Sequence, residues 1–132
     1  MSWFFVFYPT KGTPFPGSHQ IFNKTGRIKS PNFPHRYPDY IIRLWNITVP
    51  DGHLIKLNFT YFDVSASPIC DRDFVQIQDG PLVTSDVIVR MCGHVSAGET
   101  VFSSGQHMQI YFETDVTFSR KGFDASFEAV SE

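Results

Sequence analysis

The longest period-two pattern in the chain runs from Leu54 to Tyr61. Ile55, Leu57, Phe59 and Tyr61 alternate with Lys56, Asn58, Thr60 and Phe62. Mostly apolar against mostly polar at this spacing predicts a half-buried strand, with Tyr61 on the core face. The loop Asp63–Asp73 follows, carrying three aspartates and Cys70, and a second strand starts at Phe74 and stops at Asp79-Gly80. Trp45, Ile47 and Val49 alternate with Asn46 and Thr48 in a strand before this pair. Val87–Cys92 is a further strand. Met108, Ile110 and Phe112 face one way in the stretch His107–Glu113, with His107, Gln109, Tyr111 and Glu113 facing the other. The last strand alternates Phe123, Ala125, Phe127 and Ala129 with Asp124, Ser126 and Glu128.

Turn residues separate these runs. In Pro50-Asp51-Gly52, Pro presets φ, Asp bonds its own backbone and Gly accepts a positive φ, so a hairpin is predicted there. Ser104-Gly105-Gln106 predicts a second hairpin. Pro31, Pro34 and Pro38 exclude a helix from SPNFPHRYPDY and force a loop across the domain, anchored by Phe33 and Tyr37. Short alternating strands without a convincing amphipathic helix predict an all-β antiparallel β-sandwich, with a closed barrel as the alternative.

Length and composition agree with a single domain. The chain has 132 residues, 42% of them apolar, with 14 Phe. Phenylalanine favours strands and buries a large area per residue. Residues 10–20 have linker composition, so the domain proper is expected near Ile21, with residues 1–22 an N-terminal extension or linker and 23–132 the domain. MSWFFVFYP is a poor signal peptide, lacking a basic start and a clear cleavage site. It reads equally as a truncated signal, a docking strand or a segment from an unusual transcript. A formal charge of −2 supplies no field to recruit nucleic acid. No apolar run approaches the ~20 residues of a membrane span.

Chemistry-bearing motifs are sparse. His19, His35, His53, His94 and His107 are scattered, and HExxH, G-x-S-x-G and P-loop motifs are absent, so no enzyme is expected. Cys70 and Cys92 form no CxxC and cannot fill a structural zinc site alone. Asn23, Asn46 and Asn58 each open an N-x-Thr sequon, read as glycan acceptors or as unused polar residues. Lys24, Arg27, Lys29 and Arg36 are a basic set that a sulfated glycan could use, or simply a solvated strand and loop.

Taken in order, the residues resemble CUB domains. Gly26-x-Ile28-x-Ser30-Pro31-Asn32-Phe33-Pro34-x-x-Tyr37-Pro38 matches the family's opening signature. Trp45, Pro50-Asp51-Gly52, Phe59, Phe62-Asp63, Cys70-x-x-Asp73, Val75-x-Ile77, Asp79-Gly80, Cys92-Gly93, Ser103-Ser104, Phe112-x-x-Asp115 and Gly122-Phe123 follow in sequence. The resemblance implies a jelly-roll-like sandwich in a secreted, extracellular, non-enzymatic module that binds protein partners. A structural spacer or latency role, and a spermadhesin-like glycan-binding role, are the alternatives. It also implies a Cys70–Cys92 disulfide. The family's first cysteine pair is absent: Arg43 stands two residues before Trp45, where the resemblance would place a cysteine, a variant similar to the first CUB domains of complement-type serine proteases and to the CUB domains of some platelet-derived growth factors.

The same resemblance implies a calcium site at the aspartate loop. Asp73 and Asp115 match two of its acidic ligands, and Thr117 stands where Ser or Asn is usual. Ser65 stands where the family has Glu, and Arg72 where it has Tyr. Losing a carboxylate weakens such a site, and Arg72 offers Asp73 or Asp115 a different cation. In calcium-binding relatives this face takes a basic side chain from a partner, so Asp63, Asp71, Arg72 and Tyr111 are the expected contact residues. Tyr61 and Phe62 are further aromatic candidates there, although Tyr61 is expected in the core.

Overall fold

The computed structural model describes residues 18–116 and 118–132. These residues form ten strands and no helix: β1 (Ser18–Phe22), β2 (Thr25–Lys29), β3 (Ile42–Thr48), β4 (His53–Val64), β5 (Phe74–Asp79), β6 (Asp86–Met91), β7 (Gly93–Val95), β8 (Glu99–Phe102), β9 (His107–Glu113) and β10 (Gly122–Ser131). One sheet runs β1-β3-β9-β5-β6. The other runs β2-β10-β4-β7, with β8 also on β4. This is the expected all-β sandwich.

Phe123 sits at the centre of the core. Its ring lies 5.3 Å from Phe112, 5.8 Å from Trp45 and 6.0 Å from Phe59, each near-perpendicular. Edge-to-face contact sets the positive ring edge against a negative face, adding to what burial supplies. Phe112 and Phe123 are wholly buried.

The two hairpins read from the sequence are not hairpins. β3 and β4 lie in different sheets, as do β8 and β9. The Pro50-Asp51-Gly52 turn does form, with His53 N–H donating to Pro50 O at 3.2 Å and Gly52 at φ 81°. It carries the chain over the core rather than back along one sheet. Turn chemistry fixes a reversal of direction, not the layer in which the next strand pairs.

Two other expectations change. A register shift opposite Asp124/Ala125 leaves Thr60 as an extra residue in β4. One inserted residue reverses the alternation beyond it. Phe62 and Val64 therefore enter the core, while Tyr61 turns outward against Phe33, with ring centroids 5.5 Å apart. Residues 18–22, expected within the extension, are β1, paired in parallel with β3, so the sandwich is not wholly antiparallel. A single inward apolar residue, Ile21, was too little pattern to announce that strand. MSWFFVFYP lies outside the described residues.

Register places the loops. β3 opens opposite Glu113, where β9 closes, and β5 opens opposite the same residue. β10 opens opposite Asp63, near the end of β4. Segments 30–41, 65–73 and 114–121 therefore share one end of the sandwich.

Candidate functional site

Asp73 is the fixed point of that loop end. It directly precedes β5 and is fully buried, at 0% exposure. A buried carboxylate is costly unless hydrogen-bonded. Tyr37 Oη donates to Asp73 Oδ2 at 2.8 Å, and the Asp115 backbone N–H donates to Asp73 Oδ1 at 2.8 Å. The Tyr37 hydroxyl in turn accepts from Ser65 N–H at 2.9 Å. One side chain thus ties together three loops. Burial pushes the Tyr37 phenol well above its usual range, and the hydrogen bond from Ser65 N–H opposes that rise only in part. Tyr37 is a neutral donor throughout the physiological range.

Backbone bonds reinforce the wiring. Thr114 N–H donates to Ile41 O at 3.0 Å, Tyr40 N–H to Asp115 O at 3.3 Å, and Tyr37 N–H to Arg120 O at 3.1 Å. The Cys70–Cys92 disulfide is formed, with Cα atoms 5.5 Å apart, and it closes the 65–73 loop against the end of β6. It also removes Cys92 as a nucleophile.

The expected site residues fall into two groups. Asp73, Asp115, Ser65, Asp71 and Arg72 gather at the loop end. Arg72 Nη1 lies 4.0 Å from Asp115 Oδ2, one of the two carboxylates open to it in the sequence. Asp71 is exposed and bonds Ser67. Thr117 lies outside the described residues. Asp63 is turned toward Arg120, whose Nε lies 3.3 Å from its Oδ1. Tyr111 stands on the outer face of the first sheet, stacked on Phe74 at 5.9 Å, with its hydroxyl donating to Glu113 at 2.6 Å. Phe62 is core, and Tyr61 is half-buried outside it.

As a calcium-ligand set, the described residues fit poorly. Calcium takes six to eight oxygens. Among the described residues no three His, Cys, Asp or Glu side chains group as metal ligands. Both Asp73 oxygens already accept hydrogen bonds, and a guanidinium faces Asp115.

Of the basic set, Arg27 donates to Asp124 through Nε at 2.8 Å and is bound to it twice. That pairing holds the Asp124 carboxyl below its ordinary range. Arg36 instead shares a cleft of about 370 Å³ with Pro34, His35, Asp63, Arg120 and Lys121. Sequence reasoning missed this cleft because its cations come from segments more than eighty residues apart. The Tyr37 bridge was missed too: the tyrosine was expected as an anchor, but nothing local says where its hydroxyl points.

Comparison with known proteins follows the same lines. Residues 17–127 match the CUB domain family. Tolloid-like protein 1 of Mus musculus is 36% identical over 106 residues, covering 80% of this chain and 10% of that protein. The chain thus spans about a tenth of that relative's length. The full extracellular region of zebrafish Gpr126/Adgrg6 superposes with a TM-score of 0.79 at 28% identity, over 88% of this chain and 15% of that one. A MASP-1 CUB2 domain bound to Ca2+ superposes with a TM-score of 0.72 at 28% identity, over 84% of this chain and 98% of that one. CUB domains are non-catalytic modules. Among the described residues no helix is long and apolar enough to cross a membrane. With the family's signature residues at the loop end and the sandwich behind them, the chain belongs to the CUB domain family.

Proposed function

We propose that this CUB domain is a secreted, non-enzymatic module that binds an extracellular protein partner through its loop end. One observation carries the reading. Tyr40, Ile69, Val116 and Phe118 stand in water on three loops at that end, exposed by 73%, 73%, 62% and 87%. Exposed apolar groups rimmed by charge mark interaction sites, and singly scattered ones do not. Tyr40 is tied to Asp115, next to Val116, by a backbone bond. Asp71 and Arg72 supply the polar rim, so the fitting partner offers apolar side chains beside charge of both signs. Asn23, exposed in the β1–β2 turn, is the sequon that supports glycosylation best. Asn46 already accepts a hydrogen bond from Gln109 at 2.7 Å in mid-sheet.

The test immobilises the disulfide-intact chain and captures proteins from extracellular fluid. Three forms are compared: wild type, Ile69→Ser/Phe118→Ser, and Phe22→Ser on β1 as a control at the opposite end of the sandwich. The reading requires a specific partner kept by the control and lost by the loop variant. A partner held equally by all three refutes the loop end as the contact. No partner in any arm favours the spacer role.

A glycan-binding reading is favoured by the cleft of His35, Arg36, Arg120 and Lys121, where one acid meets several cations. Retention on heparin at physiological salt, lost in Arg36→Ala/Lys121→Ala, would support it. Elution at low salt removes it, since exposed charge pairing is then the whole interaction.

A further inference from the structure

We propose that Arg72 is the resident cation of the loop end, and that this domain holds its loops without calcium. The guanidinium sits 4.0 Å from Asp115 Oδ2, with side-chain exposures of 59% and 31%. An incoming divalent ion would have to share Asp115 with this positive charge, and the two cations repel.

Exposure leaves Arg72 free to swing aside, so the repulsion alone is not decisive. The second argument is the state of Asp73. Its oxygens point at Tyr37 Oη and at the Asp115 N–H, both at 2.8 Å. A metal ligated by Asp73 must compete with these donors in a fully buried place. The third is donor count. Ser65 sits two hydrogen bonds from Asp73, through Tyr37. It brings a neutral hydroxyl where the family pattern has a carboxylate, and affinity for calcium tracks ligand charge.

The consequence is a loop end whose shape does not follow calcium concentration. The bonds of Tyr37 and of the Asp115 N–H to Asp73 hold these loops whether or not a partner docks there, so loss of partner binding in the capture experiment leaves this proposal standing.

The test is calorimetric melting of the full disulfide-intact chain in millimolar calcium and in chelator. The wild type, Ser65→Glu, Arg72→Gln and the double variant Ser65→Glu/Arg72→Gln are compared. The wild type and Ser65→Glu are expected to melt at the same temperature in both buffers. Arg72→Gln shifts slightly, and equally in both. The double variant, with a third carboxylate and no guanidinium, is expected to gain a calcium-dependent rise of roughly 10 °C at calcium 100-fold above its Kd. A calcium-dependent rise in the wild type overturns the proposal. So does a rise in Ser65→Glu equal to that of the double variant, since Arg72 then blocks nothing. A double variant that melts cooperatively without any calcium response also overturns it. If the double variant does not fold, the wild-type arm still decides.

Discussion

Replacing Tyr37 by Phe isolates the hydroxyl that bridges two loops. The ring packs edge-on against Phe112 at 5.2 Å, and Phe keeps that contact, so no cavity opens. What is lost is one donor to a buried carboxylate and the acceptor of Ser65 N–H. A hydrogen bond to a charged group contributes about 1.5–3 kcal/mol. Stranding the half-buried Ser65 N–H adds about 1 kcal/mol. The expected loss is then about 2.5–4 kcal/mol. At about 4 °C per kcal/mol for a domain of this size, Tm falls by roughly 10–16 °C. Urea or guanidinium unfolding gives the free energy directly, with an unchanged slope confirming the same folded and unfolded states. A double-mutant cycle with Asp73→Asn should return a coupling of at least about 1 kcal/mol, as groups in direct contact do. A loss under about 0.5 kcal/mol, or no coupling, would mean that the bridge does not hold the loops.

Other outcomes follow from features already described. Reducing Cys70–Cys92, which are 22 positions apart, should lower stability by about 3 kcal/mol in the chain-entropy picture; unfolding with and without reductant measures it, and no difference would show that the loop is held by other means. Gly122 has φ 95°, and a Cβ there would fall on Ser30 Oγ and 2.8 Å from Ser30 Cβ, so Gly122→Ala should cost well over the ~1 kcal/mol expected of Gly52→Ala, where φ is 81° but space is open. Thermal melts of the two rank them, and equal losses would contradict the crowding. Asp124 has its folded carboxyl lowered by Arg27, so it contributes stability above the ordinary carboxylate range that disappears as pH falls through the folded value. Asp124→Asn should flatten the acid limb of a stability profile, and an unchanged limb would sink that assignment.

The strands were readable because one face of each is buried. Ile55, Leu57 and Phe59 in β4, and Met108, Ile110 and Phe112 in β9, alternate as the core requires. The alternation failed where a neighbour intervened. Tyr61 left the core because β10 has no residue opposite the preceding Thr60, and that register belongs to a strand sixty residues away. Gln109 was expected on a solvated face and is buried, since its amide donates to Asn46 and to Pro81 O beneath the 80–85 loop. Parallel β1 carried almost no pattern. At the loop end, residue type and spacing offered Arg72 either Asp73 or Asp115, and only the fold brings it to Asp115. The Asp63–Arg120 pair was not legible, because opposite charges far apart in sequence meet only once the sheets are in register.

β10 is the last strand of the domain, yet it lies in the middle of its sheet, between β2 and β4. Neither β2 nor β4 has its main partner until residues 122–131 are available. On a ribosome, then, a nascent chain cannot lay down the second sheet progressively, and closure of the sandwich waits until the domain's final strand has emerged. Until that moment β2 and β4 present open edges, which is when a chaperone has most to shield. Contacts of such long sequence separation also make for slow folding. A chain truncated before Gly122 would be left with two unpaired edges rather than a slightly smaller domain.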